Sequence, residues 1–242
     1  MEGRSRSQTE VVLNGIKDMI TSGRLVPGGR LPVEKELADQ FGVSRGSLRE
    51  GVRALALMGV LETRQGAGTY VTALDAETLL TPLEALVDLQ GPRNILEVMG
   101  VRRILEIEAA GRAAIRITDA ELQKAHGILG RMEYMLEQQR VDHDAVMEAD
   151  LEFHTIIANA SGNSTLAAMI HALSSRTIRA RLWRAMSAKG IEHQTHAEHQ
   201  AILWATKARD PEAARLRMGG HLLSVEQYFE EHLNPGTHGK SW

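Results

Sequence analysis

The rhythm of hydrophobic and polar positions changes once along this chain. Up to about residue 73, short apolar periods alternate with turn residues; beyond it, helical spacing continues to the C-terminal region. Val12, Ile16, Met19 and Ile20 predict a helix over about residues 9–22. The run RLVPGGRLP, with Pro27, Gly28, Gly29 and Pro32, breaks it. VEKELADQFG predicts a short second helix ended by Gly42. VSRGSLREGVRALALMG predicts a third, capped by Ser44 and ended by Gly59, with Leu48, Val52, Leu55 and Leu57 on its buried side. VLETRQGAGTYV reads as two short strands around a turn from Gln65 to Gly68. Three helices and a β-hairpin in this order make a winged helix-turn-helix.

Residues 72–84 read as a connector leading into a helix. Helices are then predicted over about 76–89, 93–115, 119–140, 142–160, 164–186, 191–207 and 211–232. The breaks are Gly91-Pro92, Thr118 as a cap, Ser161-Gly162-Asn163, Gly190 and Asp210-Pro211. With no strand alternation beyond residue 73, the fold class is mostly α: a winged helix followed by an all-α bundle of about seven helices. The expected division is residues 1–73, a linker and first helix at 74–90, and a helical domain at 91–242.

Charge sharpens this division. The whole chain of 242 residues carries −3, which by itself does not point to nucleic acid. The first 74 residues hold 10 Lys and Arg against 8 Asp and Glu, a net of +2; the remainder holds 18 against 23, a net of −5. There is no cysteine, which excludes disulfides, thiolate metal sites and Cys nucleophiles. No apolar run approaches a membrane span, and the N-terminus lacks a signal-peptide core, so a cytoplasmic location is expected.

The third helix has the chemistry of a DNA reader. Arg45, Ser47 and Arg49 crowd its N-terminal half, with Arg53 one turn on. Side chains near such an N-terminus reach base edges in the major groove, and an arginine grips guanine with two hydrogen bonds. The stretch from GRLVPGGRLPVEKELADQFGVSRGSLRE to GTYV resembles the DNA-binding domain of the GntR family of bacterial transcription regulators over residues 8–72. The resemblance places Lys35, Ser44, Arg45, Ser47, Arg49, Gln65 and Gly66 at operator-contacting positions. Gly46 departs from relatives that carry a larger contact residue there, and Lys35 replaces an arginine found in some of them.

In the helical part, MEADLEFHTIIANA puts Asp150 and His154 four residues apart on one inward stripe. His199, with Ile202 and Leu203, and His221, with Met218, Val225 and Tyr228, also point inward. Three imidazoles and one carboxylate suit zinc, nickel, iron or manganese. His193 and His196, close to His199, read as mostly solvated or as backing the metal ligands from behind. ADLEFHTIIANASGN, AEHQAI and MGGHLLSVEQYF resemble the effector domain of the FadR subfamily, an all-helical domain of the FCD type that commonly holds a divalent metal. The resemblance implies a metal set of Asp150, His154, His199 and His221, with zinc as the leading candidate.

Arg176 falls on the stripe Leu166, Ile170, Leu173, Ala180, and Trp183 shares that side, so both are expected to face the cavity. In VRRILE the resemblance favours Arg102 as the contact for an anionic effector, with a pair to Glu106 as the bland alternative. Arg179, Arg181 and Arg184 are expected on other faces. The resulting expectation is a homodimeric regulator, by default a repressor, that binds palindromic operator DNA. A small carboxylate (sugar acid, hydroxy acid or dicarboxylate) at the metal would control it. The rival is a metal-dependent enzyme acting on a small organic acid, but no phosphate loop, nucleophile elbow or spare buried general base accompanies the metal set.

Overall fold

The computed structural model describes residues 7–80, 82, 95–187 and 190–233, apart from the side chains of residues 175, 176, 178–180, 182, 183, 187 and 233. The chain divides into two compact units, residues 1–83 and 84–242.

In the first unit, α1 (Gln8–Thr21) opens on a capping box: Ser7 Oγ accepts the Glu10 amide at 3.1 Å, and the Glu10 carboxylate accepts the Ser7 amide at 3.0 Å. α2 (Glu34–Phe41) stops at Gly42, whose φ of 64° is left-handed. α3 (Arg45–Leu57) starts from Ser44, whose Oγ accepts the Ser47 amide at 3.0 Å. Val12, Ile16 and Met19 meet Leu48 and Leu55 in one apolar core. At Gly51 on α3 a Cβ would lie 2.5 Å from Val12 Cγ1 on α1. Even one methyl group there would overpack the α1–α3 contact. Leu57, expected on the buried side, is 81% exposed. It follows Leu55 by two residues, a rotation of about 200° around the helix.

β1 (Leu61–Arg64) and β2 (Gly68–Val71) pair antiparallel, with Leu61 opposite Val71 and Arg64 opposite Gly68. Leu61 and Val71 close the same core. On the other side of β2, Arg30 bridges to Tyr70, and the Leu31 amide donates to the Thr69 carbonyl at 2.9 Å. Beyond the wing, Asp75 Oδ1 accepts the Thr78 amide at 2.8 Å and starts a helical segment at residue 76. Most of the helix expected over 76–89 lies outside the described residues.

The second unit is helical throughout its described residues: α4 (Ile95–Arg116), α5 (Asp119–Leu136), α6 (His143–Ala160), α7 (Ser164–Ser187), α8 (Ile191–Lys207) and α9 (Pro211–Leu233). Thr118 and Glu121 cap α5 reciprocally, and Asp142 accepts the Ala145 amide at the head of α6. Asp210 Oδ1 accepts the Glu212 and Ala213 amides behind Pro211, which needs no donor of its own at that position. α4 and α9 make the most extensive helix pair. Ala109, Ala110, Ala113 and Ala114 are buried along α4, and their small side chains let neighbouring helices approach. Among the described residues, no helix is long and apolar enough to cross a membrane.

Candidate metal centre and operator-reading face

Three helices deliver one histidine each to a common point. Candidate ligand nitrogens of His154 on α6, His199 on α8 and His221 on α9 all lie within 4.8 Å of one another. The His199 ring sits 5.1 Å from that of His154 and 4.7 Å from that of His221, centre to centre. Phe153, fully buried in the main core, stacks on His199 at 4.7 Å and sets its plane. Asp150 reaches the trio at His199, with Oδ1 3.5 Å from Nε2, while its other oxygen is engaged by Arg181.

Carboxylates behind the imidazoles decide which nitrogen faces inward. Glu106 engages His154 Nδ1, and Glu198 lies 2.8 Å from His221 Nδ1. An ionised carboxylate only accepts hydrogen bonds, so each Nδ1 carries a hydrogen, and Nε2 is the ring nitrogen left for another partner. Burial raises the Glu106 carboxyl, but Arg102 and His154 outweigh it and bring it down to about 2. Asp150 is also raised by burial and then held below the carboxylate range by Arg181, with help from His154, His199 and Arg102. Burial pushes His199 well below the usual imidazole range, and the neighbouring His221 adds to this. His221 is lowered by burial against the opposing bond to Glu198. Histidines in this state are neutral near pH 7, as metal ligation requires.

A metal fits these residues, on grounds internal to the chain. His154 Nε2 and both ring nitrogens of His199 are buried without a hydrogen-bond partner among the described residues. Native interiors rarely strand such atoms. Three imidazole nitrogens beside a carboxylate oxygen make a donor set for a divalent cation.

Arg102 is 1% exposed and lies on the wall of the adjoining pocket. It pairs with Glu106, and its Nη1 donates to Thr177 Oγ1 at 3.3 Å. The ion pair and the pocket position coexist, because Arg102 Nη2 has no hydrogen-bond partner among the described residues. The side chains of Arg176 and Trp183 lie outside those described.

One expectation is corrected. Arg181 and Arg184, expected on other faces, are each 5% exposed and line this pocket. Leu166, Ile170 and Leu173 of the expected α7 stripe are buried, and beside them Ser174, Thr177, Arg181 and Arg184 form a second buried stripe. That stripe is rich in hydroxyls and charges, so a search for hydrophobic periodicity passes over it. Of the two readings of His196, solvated or backing the ligands, its 7% exposure excludes the first; its Nε2 lies 3.0 Å from Gln200 Nε2. Sequence reasoning also missed Glu198; its one signal was its place in AEHQ, directly before His199.

The reading face of the first unit is built on the surface. Lys35, Ser44, Arg45, Arg49, Gln65 and Gly66 are exposed, and Ser47 is partly so. Gly66, with φ 74°, and Gly68, with φ 112°, shape the wing tip, and Tyr70 Oη donates to the Ala67 carbonyl at 3.2 Å. Ser44 and Ser47 share a hydroxyl hydrogen bond of 2.9 Å, and Ser47 Oγ donates to Gln8 Oε1 at 2.8 Å. Arg49 is tied to Glu34, with Nη2 2.8 Å from Oε2. Arg45 is exposed at the first position of α3.

Residues 8–71 match the family model described as "Bacterial regulatory proteins, gntR family", and residues 97–224 match the FCD domain. The chain is 33% identical over 224 residues to the HTH-type transcriptional regulator LutR of Bacillus subtilis, covering 89% of this chain and 100% of LutR. It is 30% identical to the Uxu operon transcriptional regulator of Escherichia coli, over 90% of this chain and 85% of that protein. Among solved structures it is similar to a Streptococcus agalactiae GntR protein, with TM-score 0.67, 27% identity, and coverage of 91% and 99% of the two chains. These relatives are transcriptional regulators, not enzymes. A surface reader joined to a helical unit of this type places the chain in the GntR family of DNA-binding transcriptional regulators, with an FCD domain as its second unit.

Proposed function

We propose that this GntR-family regulator is a FadR-type repressor whose hold on its operator is set by a small carboxylate bound beside a divalent metal. Asp150, His154, His199 and His221 hold the metal, with zinc as the first candidate. Glu106 and Glu198 orient two of those imidazoles. The carboxylate, a sugar acid, hydroxy acid or dicarboxylate, meets the metal on one side and Arg102 on the other. Arg176 and Trp183 stay in the proposal as further lining residues on α7. The active species is a homodimer in the cytoplasm, each winged unit reading one half of a palindromic site.

The observation that carries this reading is the group of buried ring nitrogens on His154 and His199 that nothing in the described chain satisfies. A purely structural core would have filled these positions with apolar side chains at lower cost. For an acid to release DNA, it must bind the non-DNA arrangement more tightly than the DNA-bound one. Titrating the zinc-loaded protein against operator DNA, with and without a panel of acids, tests the switch. Operator affinity is expected to fall at least tenfold with one class of acid; affinity unmoved by every acid, in protein shown to hold metal, would reject the proposal.

A further inference from the structure

Besides Ser174 Oγ and His196 Nδ1, the stranded polar side-chain atoms among the described residues are of two kinds. One kind is ring nitrogens, His154 Nε2 and both of His199, one of which carries a hydrogen. The other is donors: Arg102 Nη2, Arg181 Nε, Arg184 Nε and Arg184 Nη2 are also buried without a partner among the described residues. Those four guanidinium nitrogens carry about six N–H bonds. Arg102, Arg181 and Arg184 all border one pocket, together with Asp150 and His221. The pocket is a small cavity of about 30 Å³, and Arg181 pairs with Asp150 in its wall.

Arg181 and Arg184 are three residues apart on α7, so their guanidiniums leave the helix on one face. Arg181 spends Nη1 on Asp150, and Arg184 lies over the Tyr228 ring at 5.4 Å. Neither contact uses either Nε–H. We propose that Arg181 and Arg184 form a second anion-recognition point, distinct from the metal and Arg102, and that the effector is a dianion whose far acidic group they hold. The inference rests on the metal-and-carboxylate reading above and narrows it to diacids.

The number of acceptors required supports two acidic groups over one. A carboxylate offers about four lone-pair positions, and one that also meets a cation has fewer left for arginines. Arg102 Nη2 alone can occupy what remains. A hydroxylated tail brings a donor with each acceptor, which strands its own hydrogens against guanidiniums. A second carboxylate brings acceptors only, in the planar geometry that arginine matches. Charge points the same way. Glu106, Asp150 and Glu198 offset the three arginines, while Glu192 on the wall is engaged by His143 at 2.9 Å. A cation that draws on Asp150 weakens its hold on Arg181 and leaves that guanidinium seeking an anion.

The test is calorimetry on the full-length zinc-loaded protein with malate, 2-hydroxybutyrate and gluconate. Malate and 2-hydroxybutyrate share the hydroxy acid head and differ by a distal carboxylate in place of a methyl. Malate is expected to bind at least tenfold more tightly than either monoacid. Arg184→Gln should cost malate about tenfold and leave 2-hydroxybutyrate within twofold, with zinc content and thermal transition unchanged. Equal binding of malate and 2-hydroxybutyrate, or gluconate binding more tightly than malate, overturns the dianion and leaves the carboxylate reading standing. No binding of any acid to zinc-loaded protein overturns both. If Arg184→Gln does not fold, the malate to 2-hydroxybutyrate ratio of the unaltered protein still decides.

Discussion

The two units of this chain put polar groups in opposite places. Among the described residues, every buried polar or charged side chain lies at or beyond Arg102; the core of the winged unit is apolar throughout. The winged unit carries its chemistry outside, on α3 and the wing, where water serves each group until DNA replaces it. The helical unit carries its chemistry inside, where water does not reach and each group needs a fixed partner. Recognition of a long polyanion needs a surface. Recognition of a small acid needs an enclosure, and an enclosure leaves polar atoms stranded unless the ligand supplies what they lack.

The hardest test of this contrast strikes the shared support of core and site. Phe153 belongs to the main apolar core of the helical unit and stacks on His199. Phe153→Ala is expected to cost about 3–5 kcal/mol of stability in that unit. All three tryptophans, Trp183, Trp204 and Trp242, lie in the second unit, so their fluorescence reports on it alone. The tryptophan-monitored transition should move down, while operator binding at low temperature persists. Loss of folded winged domain in the same variant would show that the two units do not hold their cores separately.

How much was legible in the sequence follows the same division. In the winged unit the inner face is apolar and the outer face polar, so periodicity located α1, α2, α3 and both strands. Its one false reading there, Leu57, came from following hydrophobicity past the turn of the helix. In the helical unit His154, His199 and His221 were found because each interrupts an otherwise apolar stripe. Arg181 and Arg184 were not, because their stripe contains Ser174 and Thr177 and carries no apolar rhythm to interrupt. Glu198 was hidden for a different reason. It is 23% exposed at the side chain and looks like a solvated helix residue until His221 Nδ1 is seen 2.8 Å away.

Glu198 gives the second test. Glu198→Gln keeps the shape and removes the charge behind His221. Loss of such a supporting carboxylate typically weakens metal affinity about 10–100-fold. Zinc at a thousandfold excess over its dissociation constant stabilises the folded state by about 4 kcal/mol, so the variant should show a smaller zinc-induced rise of the tryptophan-monitored transition at fixed zinc. Operator affinity of the metal-free protein should not change. An undiminished zinc response would mean that Glu198 only solubilises α8 and that His221 needs no support.

The smallest effect is expected on the reading face, and its size is the point of contrast. Arg49 is held by Glu34, with Nε 2.9 Å from Oε2, at side-chain exposures of 62% and 52%. A pair this open is screened by water and adds little to folding. The Glu34 carboxyl is nevertheless lowered, first by its hydrogen bond from Arg49, so it is ionised whenever DNA arrives. To reach DNA, Arg49 must exchange that carboxylate for a phosphate or base edge, and the carboxylate left behind repels the phosphates. Glu34→Gln removes both the competition and the repulsion. The thermal transition should not move, and operator affinity at low salt should rise by less than about tenfold, the scale of one exposed pair. A fall in affinity would mean that Glu34 aims Arg49 instead of restraining it. The surface would then be as preorganised as the buried site, and the opposition between the two units would fail at that residue.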